Sequence, residues 1–213
     1  MSKSKVVIID YNSGNLHSVF NAFELIKSNN QQIIISSDAN DLKSATHIVL
    51  PGVGAFADCI SGLNAASGMI EQLKKQVLIL KKPFLGVCVG MQLLATEGYE
   101  HGKYKGLNFI PGKVIRIDDK NNSLKIPHIG WNDLQLKSNN HPFLKGIKSG
   151  DHAYFVHSYH FVCEDQNNVL ATVNYGQDIN AIIVKDNIFA VQFHPEKSQS
   201  VGLELLGGFL GAA

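Results

Sequence analysis

Cys88 lies two residues from a glycine on either side, in Gly86-Val87-Cys88-Val89-Gly90. This is the spacing of a sharp strand-to-helix turn that lifts a nucleophile above a sheet, here with a thiol in the reactive position. The turn strains its apex residue and crowds the chain on both sides, and residues without a Cβ relieve the crowding. The start of the following helix would favour a thiolate and any nearby oxyanion. A small cysteine buried in an ordinary strand–helix turn has the same local pattern, so this motif alone does not decide the chemistry.

Val191-Gln192-Phe193-His194-Pro195-Glu196 supplies the rest. A buried strand is predicted over 188–193, with His194 at its carboxyl end, where open α/β sheets place their chemistry. Pro195 ends the strand and biases His194 towards an extended conformation. Residues two apart in an extended segment share a face, so Glu196 can reach the imidazole and fix its tautomer. Cys88, His194 and Glu196 then read as nucleophile, base and orienting acid.

These groups need a scaffold. Apolar runs at 6–9, 32–35, 47–50 and 84–87 read as strands. Helical spacing covers 14–26 and 69–80. That alternation means a parallel sheet covered by helices. From Gly106 onward short strand-like pieces follow at 107–110, 113–117, 153–156, 161–163, 169–173, 181–184 and 188–193. They predict an added mixed or antiparallel sheet. A short helix over 202–210 closes the chain, and the polar stretch 118–123 reads as an exposed loop. No linker or repeat divides residues 1–213, which read as one α/β domain.

Gly52-Val53-Gly54-Ala55-Phe56-Ala57 fits a weak dinucleotide fingerprint, with Glu71 as a ribose ligand. Pro51 before the first glycine, and the place of this turn after a third strand, favour an oxyanion strand instead. A glycine-rich peptide there can rotate at little steric cost. If a carbonyl rests inward, the oxyanion hole lacks a donor. His194-x-Glu196 lacks the P-C-x-x-C of zinc deaminases. His157 and His160 would face opposite sides of an extended segment, which argues against a shared metal ion.

The phrases Pro51-Gly52-Val53-Gly54, Gly86 to Gln92 and Gln192 to Glu196 resemble the three signatures of class I glutamine amidotransferases. Asp10 to Leu16, Lys105-Gly106-Leu107, Ile110 to Val114, Pro127 to Asn132 and Tyr154 to Tyr159 resemble the branch serving as glutaminase subunits of imidazole glycerol phosphate synthase. The resemblance implies a flavodoxin-like parallel sheet flanked by helices, with an added mixed sheet. It implies hydrolysis of L-glutamine to glutamate and ammonia by Cys88, His194 and Glu196. The Val53 and Val89 N–H groups would be oxyanion donors, with Gly52, Gln92, Ser158 and Tyr159 binding glutamine. Trp131 would face a partner, a (β/α)₈-barrel cyclase subunit that receives the ammonia in a heterodimer of the histidine pathway. No metal or organic cofactor is implied. A paralogue serving an amidino-sugar step of surface polysaccharide synthesis carries the same triad. A non-catalytic regulatory subunit would share only the fold, but would be expected to lose triad residues first.

Composition agrees with such an enzyme. The 213 residues are 45% hydrophobic and 17% charged. Nineteen basic side chains against eighteen acidic ones give a net charge of +1, which leaves no broad nucleic-acid footprint. Three dispersed cysteines, Cys59, Cys88 and Cys163, suggest a reduced cytosol rather than a disulfide framework, with Cys59 and Cys163 as packing residues. The start of the chain is too short for a signal-peptide core, and no segment reads as a membrane span.

Overall fold

A computed structural model describes residues 4–119, 124–137 and 141–211. Five parallel strands form one half of the main sheet. In spatial order they are Gln31–Ser36, Ser4–Ile9, His47–Gly52, Phe84–Cys88 and Ile188–Val191. Antiparallel strands Asp178–Lys185, Val169–Asn174 and Gln135–Leu136 extend the same sheet. The central parallel strands His47–Gly52 and Phe84–Cys88 are buried throughout. That explains their continuous apolar runs, since helices cover both faces of such a sheet.

The added strands do not form one sheet beside the core. Gly112–Arg116 and Tyr159–Cys163 pair in a four-stranded sheet with Glu97–Gly98 and Tyr104–Lys105. His128–Asp133 and His152–His157 make a separate two-stranded ribbon. Helix Gln199–Leu210 packs against helix Leu16–Ile26, with Phe209 and Phe23 in ring contact at 6.2 Å.

Several elements differ from the sequence reading. The strand expected to stop at Leu50 continues through Pro51 and Gly52, which pair with Val87 and Cys88. Leu107 to Ile110 form no strand. Their N–H groups instead bond to the carbonyls of Leu93, Ala95 and Leu94 in the loop below the elbow. The helix over 69–80 divides into an α-helix Met69–Leu73 and a π-helical stretch Lys74–Ile79. Asn187 caps its end, donating to the carbonyls of Val77 and Lys82 at 3.0 and 2.6 Å. Helix Phe56–Ala65 and strand His128–Asp133 were not expected. Of the loop expected over 118–123, residues 120–123 lie outside the described residues.

Candidate active site

Cys88 ends the central strand with φ 55° and ψ −112°, a conformation that non-glycine residues adopt only under constraint. The constraint is packing. A Cβ on Gly90 would lie 1.8 Å from the Leu50 carbonyl oxygen, and one on Gly86 would lie 2.8 Å from the Gly90 carbonyl oxygen. The elbow helix, Val89–Gln92, is a single turn. A single turn carries no long macrodipole, so any help it gives the sulfur comes from its local N–H groups.

His194 lies beyond the end of strand Ile188–Val191, in an extended conformation with φ −99° and ψ 97°. Its N–H donates to the Tyr154 carbonyl at 3.0 Å, and its carbonyl accepts from the Ser198 hydroxyl at 2.7 Å. Both bonds hold the backbone while the side chain is 3% exposed. Glu196 returns to the imidazole through a 3₁₀ turn, Pro195–Lys197, not along an extended strand as expected. Its Oε1 lies 2.7 Å from His194 Nδ1. A carboxylate accepts there, so Nδ1 carries the hydrogen and Nε2 is left for the sulfur. The same Oε1 accepts from the Asn15 side-chain amide. Asn15 stands at φ 70° just before helix Leu16–Ile26. Burial alone would lower the His194 pKa, but its hydrogen bonds to Cys88 and Glu196 push it up to about 10. The arrangement leaves Nε2 to exchange a proton with the sulfur while Glu196 holds the charged ring.

Cys88 and His194 open on a cavity of about 230 Å³ that Val53, Val89, Gln92, Ser158 and Tyr159 also line. Gly52 does not line it. It pairs with Cys88 from behind, where a Cβ would come within 2.7 Å of the Gly90 nitrogen and 2.8 Å of the Tyr11 hydroxyl. Gln92 is 2% exposed, and its amide nitrogen bonds the Tyr159 carbonyl at 2.9 Å and the Gln192 side chain at 3.1 Å. Its carbonyl oxygen is what remains for a ligand. The Val53 N–H donates to the Ser13 hydroxyl at 3.0 Å, and the Tyr11 hydroxyl donates to the Pro51 carbonyl at 2.7 Å. The oxyanion strand is thus held from behind. Val53 does not offer its N–H to the cavity in this arrangement.

Two residues missed in the sequence stand out. Glu100 lines the cavity while its carboxylate accepts the Phe56 N–H at 2.7 Å. It lies in a short segment between two-residue strands, with no local pattern to mark it. His157 also lines the cavity. Cys59 and Cys163 are buried, and burial raises both thiols, Cys163 to about 12, as expected of packing residues. Trp131 lies apart, 47% exposed on the two-stranded ribbon and beside Tyr154 at 5.9 Å between ring centres. Among the described residues no cluster of three or more His, Cys, Asp or Glu is placed to hold a metal ion. Nor is any helix long and apolar enough to cross a membrane.

Comparison with known proteins agrees with this geometry. The family model for glutamine amidotransferase class-I matches residues 7–210. The imidazole glycerol phosphate synthase subunit HisH of Pelagibacter ubique is 45% identical over 205 residues, covering 96% of this chain and 98% of the relative. The HisH subunit of Brucella abortus is 48% identical over 212 residues, covering 97% and 98%. Among solved structures, a glutamine amidotransferase superposes with TM-score 0.74 at 19% identity over 97% of both chains. PurLQS of Thermotoga maritima gives 0.73 at 20% identity over 98% of both, a likeness of fold. By the family match and these relatives, the chain belongs to the class I glutamine amidotransferases, among the glutaminase subunits of imidazole glycerol phosphate synthase.

Proposed function

We propose that Cys88, His194 and Glu196 hydrolyse L-glutamine and that the ammonia passes to a cyclase subunit of the (β/α)₈-barrel type. The product is imidazole glycerol phosphate in the cytoplasmic histidine pathway. The observation that carries this reading is the strained Cys88 in a small cavity beside an imidazole whose Nδ1 is tied to Glu196 at 2.7 Å. The Cys88 thiolate attacks the glutamine side-chain carbonyl. His194 takes the thiol proton and returns it to the leaving ammonia. A γ-glutamyl thioester remains, and a water activated by His194 resolves it. Glu196 holds the ring in the required tautomer and stabilises its charged form. The Val89 N–H and, once freed from Ser13, the Val53 N–H stabilise the oxyanion.

The far end of the substrate finds matching chemistry in the same cavity. Gln92, Ser158 and Tyr159 supply polar and backbone groups there. Glu100, an acidic side chain on the cavity wall, suits the α-ammonium group. The ribbon carrying Trp131 is proposed as the docking surface for the cyclase. Identities of 45% and 48% to HisH subunits favour the histidine pathway over a polysaccharide paralogue. Glutamate release from glutamine, measured with the cyclase present, tests the reading. Release by Cys88→Ala at the rate of the unmodified chain would overturn it.

A further inference from the structure

Two buried histidines are joined ring to ring behind the outer ribbon. Nδ1 of His128 lies 3.1 Å from Nε2 of His157. The ends of the pair decide where each hydrogen sits. His157 Nδ1 is 2.9 Å from the Tyr159 carbonyl oxygen, which only accepts, so that nitrogen carries a hydrogen. At the other end the Asn132 amide nitrogen is 3.2 Å from His128 Nε2. That nitrogen also donates to the Asn174 carbonyl at 2.9 Å, and the amide oxygen accepts the Asp133 N–H at 2.8 Å. These two bonds fix the orientation of the amide, so His128 Nε2 must accept. His128 Nδ1 then donates to His157 Nε2. Both rings are neutral, and both carry hydrogen on Nδ1. Burial independently pushes His128 down to about 4 and His157 to about 3.

The chain of bonds continues inward. The Tyr159 carbonyl also receives the Gln92 amide at 2.9 Å, and Gln192, bonded to Gln92 at 3.1 Å, points its own amide at the Cys88 sulfur across 3.9 Å. The chain also begins close to the surface. Along strand His128–Asp133 the inner residues His128 and Asn132 alternate with the exposed Ile129 and Trp131. The His128 ring is held between Tyr175 and Phe155, with centroids at 4.0 and 4.9 Å.

We propose that His128 and His157 are positioning residues for glutamine binding. They form a one-way hydrogen-bonded strut that holds the Tyr159 carbonyl and Gln92 in place and ties them to the ribbon bearing Trp131. The proposal rests on the reading of the cavity as a glutamine site. A proton added to either ring would set donor against donor and break the strut. His160 and His194 oppose a further charge on His157, Tyr175 only stacks on His128, and Glu100 on the same cavity wall is taken up by the Phe56 N–H.

Nitrogen-15 NMR of the full chain tests the tautomers directly. Both rings should stay neutral with Nδ1–H from pH 8 down to about pH 5. An Nε2–H tautomer at either ring, or titration of either near the ordinary histidine value, overturns the strut. His128→Phe keeps the ring stacking and removes the bonds. In the assembled enzyme it should raise KM for glutamine about tenfold with kcat within about twofold, the loss expected of one buried hydrogen bond. His128→Gln, which retains a donor, should recover most of that KM. An unchanged KM in His128→Phe, with the unmodified enzyme active, overturns the strut alone. An unmodified assembly without glutaminase activity overturns the glutamine reading instead.

Discussion

The backbone N–H of Val53 is bonded to the hydroxyl of Ser13 at 3.0 Å. The Gly52–Val53 peptide is planar and trans, so the Gly52 carbonyl points the opposite way from Ser13. An oxyanion donor expected at the nucleophile is occupied by a residue of the first loop. Rotation of that peptide must break the Ser13 bond. The rotation turns ψ of Gly52, which has no side chain to swing, and φ of Val53.

Ser13→Ala should therefore raise the glutaminase rate of the isolated chain by about three- to tenfold, the worth of one hydrogen bond. Ser13→Thr, which keeps the hydroxyl, should stay near the unmodified rate. If assembly with the cyclase is what turns the peptide, all three should converge in the complex. Glutamate production by each form, alone and assembled, measures this. An isolated Ser13→Ala chain no faster than the unmodified one would show that Ser13 only braces the loop.

Cys88 should be the thiol labelled by a glutamine-mimicking electrophile. All three cysteines are buried, but of the three only Cys88 lines the cavity, and burial raises the Cys59 and Cys163 pKa values, so neither has thiolate to offer near neutral pH. Peptide mapping after labelling checks the site, and chief modification at Cys59 or Cys163 removes the nucleophile assignment. Cys88→Ala in the complex should lose glutamine-dependent synthesis but retain synthesis from ammonium salt. Loss of both in a folded complex would give Cys88 a role outside ammonia release.

How much of this was legible depended on the range of the interactions. The elbow is local: two glycines and a cysteine at fixed spacing announce a strained apex, and Cys88 has φ 55°. His194 and Glu196 are also local, though the 3₁₀ turn between them was read as extended. Ser13, Glu100 and His128 act across forty, forty-four and twenty-nine residues of chain, and no periodicity marks such pairings. Leu107 to Ile110 show the converse. Their apolar pattern fits a strand, but their N–H groups find partners in the loop after the elbow. The strand ending at Gly52 outran its expected limit because a parallel neighbour pairs with residues that usually break strands.

Stability should fall on mild acidification. Burial lowers His128, His157 and His160 to about 4, 3 and 4, well below the ordinary value of 6.5. Between those limits the unfolded chain binds protons that the folded chain refuses, so stability rises with pH there. The full stability is present above about pH 6.5 and is lost progressively as pH falls towards 4. His194, raised to about 10, runs the other way: its contribution is fully present below about pH 6.5 and is lost as pH rises towards 10, so it offsets a small part of the loss. The three histidines together should cost about 5.5 kcal/mol at pH 5 relative to pH 7, a little under about 2 kcal/mol for each. Urea unfolding at the two pH values measures it, and equal midpoints would mean that these rings are not buried neutral.

Two glycines offer a paired test of packing. Gly90→Ala places a Cβ 1.8 Å from the Leu50 carbonyl oxygen, backbone against backbone, where nothing soft can yield. It should destabilise the fold by about 3 kcal/mol and displace Cys88 from the cavity. Gly207 lies in helix Gln199–Leu210 with no atom within 4 Å of its would-be Cβ. Gly207→Ala should stabilise by about 0.5–1 kcal/mol through helix propensity and a less flexible unfolded chain. Thermal midpoints of the two variants should move in opposite directions. A Gly90→Ala chain as stable as the unmodified one would show that the close approach relaxes freely.

Trp131 should anchor the cyclase. The lone tryptophan of the chain is 47% exposed, and its neighbour on the same strand face, Ile129, is 60% exposed. Core packing is thus not its role. Tyr154, across the ribbon from Trp131, supports the indole edge to face, and Lys197 lies 5.9 Å from the Tyr154 ring. An aromatic side chain already braced in this way loses little freedom on docking, which is the usual character of an interface hot spot. Trp131→Ala should weaken association by about 2 kcal/mol, some thirtyfold in Kd, while the isolated chain keeps its unfolding midpoint. Stimulation of glutaminase should fall in the same titration and return at higher cyclase concentration, because the catalytic groups are untouched. Calorimetric titration of the two subunits, read beside glutamate production, separates these effects. Unaltered affinity would move the docking surface away from this ribbon, whereas normal affinity with lost stimulation would make Trp131 part of the coupling and not the anchor.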